Sequence, residues 1–276
     1  MLPASPETGP SLPGGPRMLL LMISSGRPLS SAIAGALSMS VLWIHNGRSI
    51  LCVLVGLAMT VVTMFGFVVN DVFDYRKDSR AGVKRPVAAG SLPQAHALLF
   101  SALLLAAVSL LSAVVGSGGV MAFTALALVL YTPFARRWPL LKGLYVAGLC
   151  LLPLYYATSV AGTRASWGAY AVLVLFILGR ETLMDADEAA GDLQAGMRTI
   201  AVALGRRQAR RIGIAVMMAA TCCLIWVAHG FLGRSLAILS TVLLLSVLGW
   251  PRVEEGRRIQ LSRVPMLLAA LAVGSA

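Results

Sequence analysis

The chain has 276 residues, 58% of them hydrophobic and only 12% charged, with a mean hydropathy of +0.83 and a formal net charge of +12. Soluble domains carry roughly 25% charged residues, so this composition excludes an ordinary soluble enzyme or binding module. Recurrent apolar runs, each near the ~20 residues that cross a bilayer, predict an all-α polytopic membrane protein, and the alternating segments of an outer-membrane barrel are absent.

In chain order, residues 1–16 ("MLPASPETGPSLPGGP") are rich in Pro, Gly and Ser and read as a disordered amino-terminal tail. They lack the basic start and apolar core of a cleaved signal sequence. Nine transmembrane helices in one bundle are expected at 29–45, 49–69, 94–115, 119–135, 143–160, 167–184, 212–230, 235–250 and 264–276, the last one short. Pro153 falls inside the fifth, where a kink either opens space or serves packing. Tyr155 and Tyr156 in the same span read as packing residues, and Trp138, Trp167 and Trp250 as interfacial belt residues. Cys52, Cys150, Cys222 and Cys223 lie inside apolar runs without metal-ligand spacing, so they read as small buried hydrophobes. His45, His96 and His229 are too scattered for a histidine metal site.

The basic residues set an orientation. Twenty of the 23 Lys and Arg fall on the tail side and in the loops after even-numbered spans, leaving only Arg48, Arg164 and Arg234 opposite. The positive-inside rule then places the amino terminus and the even loops in the cytoplasm. The same rule accounts for the net charge, with the lipid bilayer as partner and no nucleic acid.

The acids follow no such rule, since carboxylates contribute little to topology. Eight of the eleven gather in two segments on that one face. The first, Asn70-Asp71-x-x-Asp74-x-x-x-Asp78, stacks Asn70, Asp74 and Asp78 on one stripe if the second span continues as a helix. The second, "GRETLMDADEAAGDLQAGMRT", puts Glu181, Asp185, Glu188 and Asp192 on one helix face, from which Asp187 departs. Stacked carboxylates repel one another unless cations sit among them. Carboxylates without histidine or thiolate select hard ions such as Mg²⁺, which is typically held by one or two carboxylates plus phosphate oxygens. Arg76, Lys77, Arg80, Lys84 and Arg85 beside the first segment, and Arg180 and Arg198 in the second, suit the same anion. Acid, metal and base together describe a bound diphosphate.

NDxxDxxxD after the second span, followed by "KRPVAAG", resembles the first signature of the UbiA superfamily of intramembrane prenyltransferases, and "DADEAAGDLQAGMRTIAVALG" resembles the second. Glu188 departs from that pattern, standing where an aspartate is usual. The resemblance implies a transmembrane prenyltransferase domain over 17–276, its helices surrounding a lipid-facing cavity for an isoprenyl tail. It implies that Mg²⁺ joins an isoprenyl diphosphate to Asn70, Asp71, Asp74 and Asp78 on one side and to Asp185, Glu188 and Asp192 on the other. It also implies that Lys84, Arg85, Lys142 and Arg198 hold phosphate oxygens. Asn70, Asp71, Asp74 and Asp185 are then the catalytic set, with Tyr131 either facing the allylic cation or anchoring the helix at the interface.

The activity so implied is Mg²⁺-dependent transfer of an isoprenyl group to an aromatic or similarly nucleophilic acceptor, releasing diphosphate. A cyclase acting on the isoprenyl diphosphate alone needs the same ionising residues. A transporter would place its acids near the midplane on broken helices, and these acids cluster at one rim.

Overall fold

The computed structural model describes residues 15–47, 49–80, 82–163, 166–194, 196–249 and 261–274. Among them the chain is all helical: α1 (Gly15–Ser25), α2 (Pro28–Asn46), α3 (Ile50–Phe73), α4 (Tyr75–Arg80), α5 (Gln94–Val115), α6 (Gly118–Arg137), α7 (Lys142–Ala161), α8 (Trp167–Gln194), α9 (Ile200–Leu204), α10 (Arg206–Val227), α11 (Gly230–Gly249) and α12 (Arg263–Gly274). Residues 1–14 of the expected tail lie outside the described residues, while Gly15 and Pro16 already belong to α1.

Eight of these helices are long and apolar enough to cross a membrane, not the expected nine. The ninth expected span is α12, whose 12 residues rise only about 18 Å, against a hydrocarbon core of about 30 Å. Its small side chains, Ala269, Ala270 and Ala272, are buried where it packs among α2, α8, α10 and α11. The outward surfaces carry Trp167, Trp226 and Phe231 almost fully exposed, as a lipid-facing surface requires.

Helix ends follow local chemistry. Gly116 (φ 75°) and Gly162 (φ 70°) take the left-handed conformation that closes α5 and α7, and the next residues, Ser117 and Thr163, donate back to Ser112 and Thr158. Glycine also sets the close approach of α8 to α10. A Cβ on Gly179 would lie 2.7 Å from the Gly213 carbonyl oxygen, and one on Gly213 equally close to that of Gly179. The two backbones touch there, which fixes the height and rotation of α8 and so of the acids it carries.

Some side chains fall elsewhere than expected. Tyr156 is fully buried and shares a hydrogen bond of 3.0 Å with Ser117, as a packing residue should. Tyr155 is instead 49% exposed, on the outer face of α7. Cys52 is buried and Cys150 partly so, but Cys222 and Cys223 are exposed on α10. In lipid an apolar side chain gains little by turning inward, so hydrophobicity does not predict burial.

Candidate active site

At the charged end of the bundle, α3 gives way to a one-residue interruption at Asp74 (φ −88°, ψ 2°) before α4 resumes. The backbone ladder survives it: Asp74 N–H donates to Asn70 O at 2.9 Å and Asp78 N–H to Asp74 O at 2.8 Å. Asn70, Asp74 and Asp78 therefore keep the i, i+4, i+8 stacking that the spacing predicts. The following segment folds back on itself, burying Val87 and Leu92, with Ala89 N–H donating to Arg85 O at 2.7 Å. That turn returns Arg85 to the acids it follows in sequence. Its Nη1 donates to Asp78 Oδ2 at 2.6 Å and to Asp71 Oδ1 at 3.3 Å.

Each acid of the first segment has a polar partner. Asp71, 3% exposed, also accepts from Arg27 Nη2 at 3.0 Å. Asp74 accepts from Arg136 Nη2 at 3.0 Å, and Asn70 Oδ1 from the Thr132 hydroxyl at 2.6 Å. Arg27 joins α1 to α2 in the left-handed region (φ 47°), a conformation costly for a residue with a Cβ, and its guanidinium lies 4.4 Å from the Phe67 ring centroid. Burial and the charge of Arg85 pull that guanidinium below the ordinary arginine range, while Asp71 acts in the opposite direction.

The second acid set rides on α8, which runs unbroken through the motif. Lys142 Nζ, at the start of α7, donates to Asp185 Oδ1 at 2.6 Å. Glu181 is buried against Arg180 at 3.2 Å, and Glu188 is exposed. Asp187, already off the common face by spacing, pairs with Arg206 and Arg210 of α10 at 3.5 and 3.0 Å. The two sets meet where Lys77 of α4 comes within 3.9 Å of Asp192 Oδ1. Tyr131 lies between them, within the fields of Lys142, Glu181, Asp74 and Glu188, its ring 6.0 Å from that of Tyr145. Lys84 and Arg198 are exposed and make no ion pair among the described residues.

The residues fit Mg²⁺ by donor chemistry. Among the described residues no three acidic, histidine or cysteine side chains converge into a ready metal cage. Mg²⁺ does not require one, since it takes one or two carboxylates and completes its shell with phosphate and water oxygens. Asp192 Oδ2 is buried without a hydrogen-bond partner, an acceptor oxygen still open to a cation.

Arg27, Thr132 and Arg136 escaped the sequence reading as members of the site. For Arg27 a signal existed: it opens α2 and Asp71 closes α3, so the antiparallel hairpin brings them to one end. Thr132 and Arg136 come from α6, and nothing local announces which of its faces meets α3.

The described residues thus form a helical membrane bundle with two acidic sets and interleaved bases at one mouth. The sequence matches the UbiA prenyltransferase family over residues 29–268, and the chain belongs to that family. It is similar to the digeranylgeranylglyceryl phosphate synthase of Thermococcus gammatolerans, 31% identical over 207 residues that cover 70% of this chain and 74% of that one. Its fold is similar to that of a UbiA homologue from Aeropyrum pernix, with a TM-score of 0.71 and 17% identity over 89% of this chain and 97% of the other. It is also similar to a UbiA homologue from Archaeoglobus fulgidus bound to GPP and Mg²⁺, with a TM-score of 0.68 and 16% identity over 92% and 99% of the two chains.

Proposed function

We propose that this prenyltransferase uses Mg²⁺ to transfer an isoprenyl group from an isoprenyl diphosphate to a nucleophilic acceptor, with the charged mouth in the cytoplasm. The observation that carries this reading is the meeting of the two acid sets through Lys77 and Asp192, 3.9 Å apart, with Lys142 and Arg85 already seated on acids of either set. Asn70, Asp71, Asp74 and Asp78 would hold the ion on one side, and Asp185, Glu188 and Asp192 on the other. When bound, the metal supplies Lewis-acid neutralisation of the departing diphosphate.

The chain's own residues do the rest. Lys84, Arg85, Lys142 and Arg198 bind phosphate oxygens, fixed cations matched to charge that grows as the bond breaks. The C–O bond to the isoprenyl C1 breaks with its electron pair leaving on diphosphate. A lone pair of the acceptor forms the new bond, and the acceptor's proton is released. Tyr131 presents its ring to the allylic cation, and the apolar bundle excludes the water that would otherwise capture it.

The name of the Thermococcus relative favours the hydroxyl of a lipid glyceryl phosphate as acceptor over an aromatic ring. Purified protein with Mg²⁺, labelled isoprenyl diphosphates and a panel of glyceryl phosphate and aromatic acceptors tests this reading. Acceptor-dependent, EDTA-sensitive product is the expected result. A cyclised hydrocarbon formed without acceptor, or no consumption of diphosphate at all, overturns it.

A further inference from the structure

Arg27 has no part in the mechanism above, yet it is held at a cost. It sits in the left-handed region (φ 47°, ψ 64°), where glycine is unstrained and a residue with a Cβ is not. Its backbone is locked there. Arg27 N–H donates to Ser24 O at 3.0 Å, Ser31 N–H to Arg27 O at 3.1 Å, and the Ser31 hydroxyl to Gly26 O at 2.8 Å. The elbow so fixed lies along one stripe of α3, since Met64, Phe67 and Asp71 are spaced three and then four residues apart. A Cβ on Gly26 would come 2.9 Å from Met64 Cε. The Arg27 guanidinium is 4.4 Å from the Phe67 ring centroid, and its Nη2 is 3.0 Å from Asp71 Oδ1. Backbone strain held in place by its surroundings points to a side chain with a task.

The ion pairs show what the task is. The Asp71 side chain is 3% exposed, and a carboxylate so buried needs a counter-charge. Among the described residues, Asp71 and Asp78 pair with two guanidiniums, Arg27 and Arg85. The two are not equivalent. Arg27 pairs with Asp71 alone and lies against the Phe67 ring. Arg85 spans both acids through the single nitrogen Nη1, at 3.3 Å from Asp71 and 2.6 Å from Asp78. Without Arg27, two carboxylates would face one guanidinium, and the group would present net negative charge to an arriving anion. With it the charges balance, and the remaining prongs of Arg85 can take a phosphate oxygen.

We propose that Arg27 is a positioning residue that acts through Asp71: it holds that carboxylate and offsets its charge, so that Arg85 is left for the diphosphate, and it does not touch the anion itself. This rests on the reading that gives Arg85 to a phosphate oxygen.

Equilibrium dialysis of radiolabelled inorganic pyrophosphate against the full chain in detergent, with EDTA present, tests this without turnover or metal. Arg27→Gly suits the left-handed elbow and removes only the side chain. It should weaken pyrophosphate binding about tenfold, the effect of one unit charge roughly 10 Å away at an effective dielectric of about 20. Arg27→Lys keeps the cation and should stay within about threefold of wild type. The decisive variant is Arg27→Gly combined with Asp71→Asn. Removing the carboxylate along with its partner restores the balance, and affinity should return to within about threefold of wild type. A double variant as weak as Arg27→Gly means that Arg27 grips the anion itself, and overturns the proposal. Wild-type affinity in Arg27→Gly, with or without a lower melting temperature, makes the residue merely structural and overturns it too. Failure of the parent reading shows separately, as wild-type pyrophosphate affinity in Arg85→Gln, a variant that keeps Arg27.

Discussion

Lys142 and Asp185 form the tightest ion pair of the second acid set among the described residues, Nζ to Oδ1 at 2.6 Å with the two side chains 13% and 6% exposed. Removing one member of a buried pair strands the other, which typically costs about 3–5 kcal/mol. Lys142→Met should therefore lower the unfolding temperature of the detergent-solubilised protein without added metal. Adding Mg²⁺ should recover part of the loss if Asp185 is a metal ligand. Thermal melts with and without Mg²⁺ decide this, and an equal deficit in both conditions removes Asp185 from the metal set.

The acids should separate by what they touch. Asp74→Ala, Asp185→Ala and Asp71→Asn should each abolish prenyl transfer, whereas Asp187→Asn, whose carboxylate is committed to Arg206 and Arg210, should keep most of the activity. Glu188→Asp should match or exceed the wild-type rate. Spacing alone suggests that removing Asp71 relieves repulsion among stacked carboxylates. The ion pairs reverse that expectation, because among the described residues Asp71 is the carboxylate that pairs with Arg27, and its removal leaves that guanidinium facing Arg85, which keeps Asp78. Turnover at saturating Mg²⁺ and substrate checks these outcomes, and a wild-type rate in Asp71→Asn ends the two-set mechanism.

Glycine substitutions should report the α8–α10 contact. Gly179→Ala would drive a methyl to 2.7 Å from a backbone oxygen, and overpacking of this kind typically costs about 1–3 kcal/mol. Gly148→Ala, a helical position with nothing within 4 Å of the added carbon, should be neutral or stabilising by up to about 1 kcal/mol. Thermal stability of the two variants side by side is the measurement. Equal effects would mean that the close approach is not sensed.

Orientation is tested by reporters. One fused after Gly233 should lie outside, and one in the 80–90 loop inside, as the distribution of Lys and Arg requires. Both on one side would overturn the membrane map on which the cytoplasmic mouth depends.

Much of this was legible in the sequence because membrane helices announce themselves by length, and because ionisable groups are too costly in lipid to scatter freely. The two acid sets stood out for that reason, and the departure of Asp187 from the common face followed from helical spacing alone. The partners of the acids did not stand out. Arg136 on Asp74 and Thr132 on Asn70 are contacts between helices distant in sequence, which no local pattern encodes. Tyr155, Cys222 and Cys223 were misplaced because hydrophobicity has no inside and outside when the solvent is itself apolar. The short α12 counts in the sequence as a ninth, short span because its alanines suit close packing and lipid equally well.

The two helices that carry the acids differ in build. α8 continues for 28 residues, about 42 Å, and so outruns a hydrocarbon core of about 30 Å as one stiff rod seated on α10. α3 breaks at Asp74, and the six residues of α4 beyond it are held by a short ladder and by Arg85. One jaw of the mouth is thus cast and the other jointed. Amide exchange should find residues 75–80 opening well before 181–192, and any tightening of the mouth around a bound anion will be a movement of α4 toward a stationary α8.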